Sequence, residues 1–311
     1  MHGLPHYCEK GLDLGDYLHD LASKEIEQMY DPNKVKGHYD VNAEREWGRL
    51  QSNINGRVQY EVTKYMLQKH LPPGGHVLDA GSGPGRYAID LAKRGYKVFL
   101  VDVSEGELRL AGEKIEEAGV KDNITGAKCL DICDLNEIPD SHFDAVLCLG
   151  GALSYVRGRR HEAIDELIRV AKPGSPIVVS VMSFLGTFHL ISQFDAADFL
   201  ENVEAHVEWD PSTPLPDYLD SKIGSNEWHA PMTIYTSGYM RQFFTEHNCE
   251  VLEMAAANTI TSAYWDGLEK IAASHKATDM LINLEKKFST EPGIIDMGQH
   301  LIIAAKTSGK R

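Results

Sequence analysis

The sequence predicts an α/β fold: a seven-stranded, mostly parallel, doubly wound sheet with an N-terminal helical segment and a cap insertion after strand five. Three observations predict it. Candidate strands recur at Val77–Leu78, Val98–Val101, Thr125–Leu130, Ala145–Leu149, Pro176–Met182, Cys249–Ala257 and His300–Lys306, with Val98–Val101 and Ala145–Leu149 near-continuous apolar runs. Stretches with apolar residues at helical spacing separate them, the alternation that builds a parallel sheet covered on both faces. One stretch, His76 to Asp102, holds a complete strand–turn–helix–strand unit.

That stretch reads HVLDAGSGPGRYAIDLAKRGYKVFLVD. Its first strand ends at Asp79, and Gly81, Gly83 and Gly85 follow at every second position. Ala88, Ile89, Leu91 and Ala92 give the next segment an apolar helical face, and Gly95 stops it. The second strand ends on Asp102. Glycines let backbone approach a ligand where a Cβ would clash, and an acid at a strand tip can accept from both hydroxyls of a ribose. The unit is a nucleotide-binding βαβ pattern. It departs from the dinucleotide fingerprint G-x-G-x-x-G, because the third glycine comes one residue early and Arg86 holds the sixth position. The pattern D-x-G-x-G-x-G with an acid after the next strand resembles motif I and its partner acid in the class I S-adenosylmethionine-dependent methyltransferases, small-molecule type. The resemblance runs from about His76 to Met182 and includes the C-terminal strands. It implies a Rossmann-like core, S-adenosylmethionine as cofactor, S-adenosylhomocysteine as product, and cofactor contacts from Asp79, Gly81, Gly83, Gly85, Asp102 and Val103. The competing reading is a Rossmann-like domain with no ligand, or one for NAD.

Composition narrows the partners. The chain has 311 residues and a net charge of −15, with no basic cluster. This argues against a nucleic-acid acceptor and against docking on an anionic membrane. Five cysteines without a C-x-x-C pair suggest reduced thiols in a cytoplasmic protein. Cys129, Cys133 and Cys148 read as small core residues, with a thiolate–metal site as the minor alternative, and no metal is expected. Neither a signal-peptide core nor a bilayer-spanning run is present in the sequence.

Taken in order, residues 1–71 form an N-terminal helical lid segment. Residues 38–50, HYDVNAEREWGRL, are dense in functional side chains. A helix is expected from Val58 to Leu71, with Asn53–Gly56 as punctuation before it. The resemblance implies that such helices cover the cofactor, with Tyr39 and Arg49 (or Arg45) reaching its carboxylate, since arginine suits a planar carboxylate. The alternative is a solvated amphipathic helix anchored by Trp47. Residues 72–183 form the core. Ser104 and Glu107 make an S-x-x-E capping box that opens a helix running to about Ala118. After strand three, the resemblance gives Asp131 the adenine amine and packs Ile132 on the ring; Asp131 or Asp134 as a turn cap is the alternative. Strand four exits at Leu149-Gly150-Gly151, where ligands bind in open α/β sheets. Gly150 permits close approach there, and Ser154 and Tyr155 follow. No [DN]-P-P-[YF] motif stands here, which weighs against adenine or glutamine-amide acceptors.

A helix from Arg159 to Ala171 and a K-P-G turn lead into strand five. Residues 184–235 then break the pattern and read as a cap over the substrate, rich in bulky side chains such as Phe188, Trp209, Trp228 and His229. Residues 236–311 complete the core, with a helical excursion at about 262–290 suited to packing beside the cap or to a homodimer contact. Methyl transfer from a sulfonium rests mostly on proximity and a dry pocket, and needs a base only when the nucleophile carries a proton. His229, His189 and Tyr155 are the candidate catalytic residues, Tyr155 as an orienting group; for each histidine a structural role competes. Three classes stay open: methylation of a small-molecule acceptor at N, O or S, a protein or RNA methyltransferase, and a cofactor-binding protein that does not methylate.

Overall fold

The computed structural model describes residues 30–187, 230, 232–263 and 265–308. Seven strands form one sheet in the order β3-β2-β1-β4-β5-β7-β6. They are β1 (His76–Ala80), β2 (Lys97–Asp102), β3 (Ile124–Cys129), β4 (Ala145–Cys148), β5 (Pro176–Met182), β6 (Cys249–Ala257) and β7 (His300–Thr307). The first five are parallel, and β7 enters antiparallel between β5 and β6. The strand order reverses between β1 and β4, which fixes the ligand crevice at their carboxyl ends.

The sheet is buried on both faces. Adjacent residues of a strand point to opposite sides, so Val77 and Leu78 enter different cores. On one side, helices α7 (Arg160–Val170) and α8 (Ser237–Glu246) pack Ile164, Leu167 and Phe243 with Leu78, Val146 and Ile303. On the other, helices α3 (Ile54–His70), α4 (Arg86–Lys93) and α5 (Glu105–Ala118) pack Val58, Val62, Leu91 and Ala111 with Val77, Val98, Leu147 and Ile302. Fully burying one such aliphatic side chain stabilises the fold by about 1.5–3 kcal/mol.

Two shorter helices precede α3: α1 (Pro32–Asp40) and α2 (Ala43–Ser52). The expected punctuation at Asn53–Gly56 is the first turn of α3 itself. The Asn53 side chain accepts from the Gly56 N–H at 2.8 Å and starts the helix four residues before Val58. Gly56 is required there, because a Cβ would lie 2.0 Å from the Arg49 carbonyl oxygen of α2.

The C-terminal excursion forms α9 (Trp265–Ala272) and α10 (His275–Phe288). It packs on the N-terminal helices, with Leu268 and Leu281 against Ile54. Glu285 of α10 is fully buried and accepts from the Thr259, Ile260 and Thr261 N–H groups and the Thr259 hydroxyl at 2.7–3.0 Å, which fixes the turn after β6. The described residues of the cap lie elsewhere. Ala230, Met232 and Ile234 pack with Val35, Tyr155, Met182 and Phe184, and Tyr235 bridges Ser183 beside β5. No described helix is long and apolar enough to cross a membrane.

Candidate cofactor and active site

A cleft opens at the carboxyl ends of β1, β2 and β4, where ligands bind in open α/β sheets. Its floor is the glycine turn. Gly81 and Gly83 have φ of +72° and +51°, the left-handed region that glycine adopts without penalty. A Cβ on Gly81 would fall 2.4 Å from the Ala152 Cβ, whereas one on Gly83 would meet only Glu107 Oε2, at 3.9 Å. Gly85 does not line the cleft. It caps α4 at φ +77° and packs against Leu100 and Ala111.

Three buried acids face this floor. Asp102 accepts from the Gly83 N–H at 2.8 Å and from the Ser104 N–H at 2.9 Å. Burial pushes its carboxyl up to about 6, against the pull of those two donors. Asp79, 1% exposed, is raised to about 7 by burial and by Asp102. Its Oδ2 has no hydrogen-bond partner among the described residues.

Glu107, also 1% exposed, departs from the expected capping box. Its N–H donates to Ser104 Oγ at 3.1 Å, which is half of the box. The reciprocal half is taken by Asp102, which already holds the Ser104 N–H. Both carboxyl oxygens of Glu107 lack a hydrogen-bond partner among the described residues, and the residue lines the cleft. Burial, then Asp102 and Glu46, raise it to about 9.

The N-terminal helices close the other side. Asp40, near the end of α1, accepts from the Ser104 hydroxyl at 2.6 Å and the Gly106 N–H at 2.9 Å, so it docks α1 on the start of α5. From α2, Arg49 donates to Glu46 at 2.7 Å and to Gln59 at 2.9 Å. Burial works against the Arg49 cation, but Glu46 outweighs it and holds the guanidinium above its ordinary value. The Arg49 Nη2 also lies beside Gly150, 3.8 Å from where a Cβ would stand. Trp47 stacks under Arg86, whose Cζ is 3.7 Å from its ring, so the same helix both anchors the core and faces the cleft. Tyr39 and Tyr155 meet edge to face at 5.6 Å, and the Tyr39 hydroxyl donates to that of Tyr155. Burial pushes Tyr155 up to about 12, so it stays neutral at ordinary pH.

The cleft therefore brings together Tyr39, Arg49, Asp79, Gly81, Gly83, Asp102, Val103, Ile132, Leu149, Gly150 and Tyr155 of the sequence-predicted set. Asp131 stands apart from the lining. Its carboxylate accepts from the Cys133 N–H at 2.9 Å and from Tyr30, and faces Arg159 at 3.6 Å. This is the turn-cap alternative for that residue, and Leu130 and Ile132 line the cleft on either side of it. His189 and His229 lie outside the described residues. Glu107 and Tyr30 line the cleft without having been marked by the sequence. Glu107 was masked by its capping-box spacing, and its place five residues after the Asp102 strand tip was the available signal. Among the described residues no group of His, Cys, Asp and Glu side chains could hold a metal ion.

Residues 77–174 match a family described as a methyltransferase domain. A ubiquinone/menaquinone biosynthesis C-methyltransferase of Cupriavidus pinatubonensis is 32% identical over 121 residues, 37% of this chain and 46% of the relative. The chain thus spans about half the length of that curated relative. A tRNA 5-carboxymethoxyuridine methyltransferase of Escherichia coli K12 is 24% identical over 263 residues, 84% of this chain and 90% of the relative. With that relative present, the expectation that nucleic acid is excluded has no support from the comparisons. Magnesium protoporphyrin IX methyltransferase from Synechocystis PCC 6803, solved with bound S-adenosylhomocysteine, shares the fold with a TM-score of 0.54 at 16% identity, covering 89% of this chain and 99% of that one. The glycine turn, its strand-tip acid, the antiparallel β7 and the match over residues 77–174 agree: residues 77–174 are a methyltransferase domain, and the chain has the Rossmann-like fold of the class I S-adenosylmethionine-dependent methyltransferases.

Proposed function

We propose that the protein transfers the sulfonium methyl group of S-adenosylmethionine to a nitrogen, oxygen or sulfur atom of a small-molecule acceptor by in-line displacement. The observation that carries this reading is the meeting, in one cleft, of the glycine turn, Asp102 and Arg49 with the buried Tyr155. The lining fits the cofactor. Val103, Leu130 and Ile132 offer an apolar slot for a purine, and Asp102 offers carboxylate oxygens for a ribose diol. Arg49 offers a planar cation for a carboxylate. The bound cofactor supplies an activated methyl group. The chain supplies position and dryness: Gly81 and Gly150 let backbone approach the ligand, and Tyr39 and Tyr155 wall the side toward β5. Tyr155, neutral and hydrogen-bonded, orients an acceptor and does not remove its proton.

A nucleic-acid acceptor is the second reading, favoured by the tRNA methyltransferase relative that aligns over 84% of the chain. The net charge of −15 opposes it, since phosphate backbones are held by lysine and arginine. The test is calorimetry with S-adenosylmethionine, S-adenosylhomocysteine and NAD, followed by incubation with labelled S-adenosylmethionine and either a metabolite extract or bulk tRNA. Binding of the two sulfur ligands without NAD, and label in a small molecule, is expected. NAD binding alone overturns the cofactor assignment, and label confined to tRNA overturns the acceptor class.

A further inference from the structure

We propose that Glu107 is a second ligand-reading residue of the cleft, entering as a neutral carboxylic acid that donates a hydrogen bond to a sugar hydroxyl of the bound adenosyl ligand. The inference rests on the reading of the cleft as an adenosyl site. Glu107 lines that cleft at 1% exposure, yet neither carboxyl oxygen has a hydrogen-bond partner among the described residues. Leaving both oxygens unpaired in a buried place carries a desolvation cost that a hydrogen bond to a bound ligand would reduce. The capping role that its sequence position would give it is filled by Asp102, so the side chain is free for another.

The charges around it decide its protonation. Asp102 faces it from the end of β2, Glu46 and Arg49 from α2, and Asp40 from α1. Three anions against one cation, in a buried place, favour the neutral acid, and Arg49 is already engaged with Glu46 and Gln59. The stereochemistry of the ligand asks for the same state. A vicinal diol can donate two hydrogens, and Asp102 can accept both. The hydroxyl oxygens then still hold lone pairs, which a carboxylic acid satisfies and a second carboxylate does not. Asp102 as acceptor and Glu107 as donor would read one sugar from its two hydrogen-bonding sides.

The test uses 5′-methylthioadenosine, which has the sugar and base but no amino-acid group to titrate, and S-adenosylhomocysteine. Their affinities are measured at pH 7.5 and 9.5 for wild type, Glu107→Gln and Glu107→Leu, with melting temperature as the check on folding. At pH 7.5, Glu107→Gln should bind methylthioadenosine within about threefold of wild type, since the amide keeps a donor, and Glu107→Leu should lose about tenfold or more. Wild type should weaken by about threefold or more at pH 9.5, and Glu107→Gln should not. Equal weakness of the glutamine and leucine variants, equal pH dependence of wild type and the glutamine variant, or full affinity in the leucine variant each overturns the proposal. Folded wild type that binds neither ligand at pH 7.5 overturns instead the adenosyl reading, and this proposal with it.

Discussion

Asp102 and Gly83 are 19 residues apart in sequence and joined by one hydrogen bond, in which the Gly83 N–H donates to Asp102 Oδ2 at 2.8 Å. The strand-tip acid thus does two things. It holds the middle of the glycine turn against β2, and it presents carboxylate oxygens to the cleft. Asp102→Ala removes both, so affinity for S-adenosylhomocysteine should fall by about ten- to hundred-fold, the equivalent of roughly 1–3 kcal/mol. Circular dichroism should show the fold intact, because β2 is held by β1 and β3 on its two sides. Undiminished affinity by calorimetry would mean that another group carries the ribose.

The buried acids make stability depend on pH in a fixed direction. Asp79 and Glu107 sit near 7 and 9 in the folded chain, above their unfolded values, because burial disfavours their charge. A raised carboxyl is fully compatible with folding below its unfolded pKa and costs stability as pH rises through its folded one. The melting temperature of the ligand-free protein should therefore drop between pH 7 and 9. Glu107→Gln cannot titrate and should flatten that slope. A parallel slope in the variant, measured by differential scanning calorimetry, would place the titration elsewhere.

Gly81 tests the turn by steric means. At φ +72°, a Cβ would sit 2.4 Å from the Ala152 Cβ at the start of α6 (Ala152–Tyr155). Gly81→Ala should cost about 1–3 kcal/mol through overpacking and left-handed strain. Gly81→Ala with Ala152→Gly should recover the steric share and leave the backbone share. Urea unfolding of the two variants measures the difference, and a double variant no more stable than the single one would show that the contact is not the cause.

The sheet was legible because its central strands β1, β4 and β5 are buried on both faces and read as apolar runs, as at Pro176–Met182, while the edge strands β3 and β6 carry exposed positions. The antiparallel last strand followed from the family resemblance and not from any residue. The glycine turn and Asp102 were legible because backbone conformation and strand ends leave local traces. Glu107 was hidden because S-x-x-E reads as a capping box, and only the Ser104 N–H bond to Asp102, two residues back, shows that its carboxyl is released. Asp131 could be placed beside strand three but not aimed: its partners, Tyr30 and Arg159, come from segments far away in sequence. The start of α3 was misjudged for the converse reason, a cap read as a break at Asn53.

Arg49 separates a ligand contact from a strut. It ties α2 to α3 through Gln59 at 2.9 Å, holds Glu46 at 2.7 Å, and lies beside Gly150 at the exit of β4. As a strut it would matter equally to every ligand of the cleft, because losing it would loosen the whole N-terminal side. As a carboxylate clamp it would matter only to ligands that carry a carboxylate. Arg49→Lys keeps the charge and loses the planar fork, which lysine cannot reproduce. S-adenosylhomocysteine affinity should then fall by about tenfold or more, the scale of a charge-assisted pair lost, with methylthioadenosine affinity nearly unchanged. Calorimetry with both ligands on the same variant reads the ratio directly. Equal losses for the two ligands would make Arg49 a structural strut and leave the carboxylate to another residue.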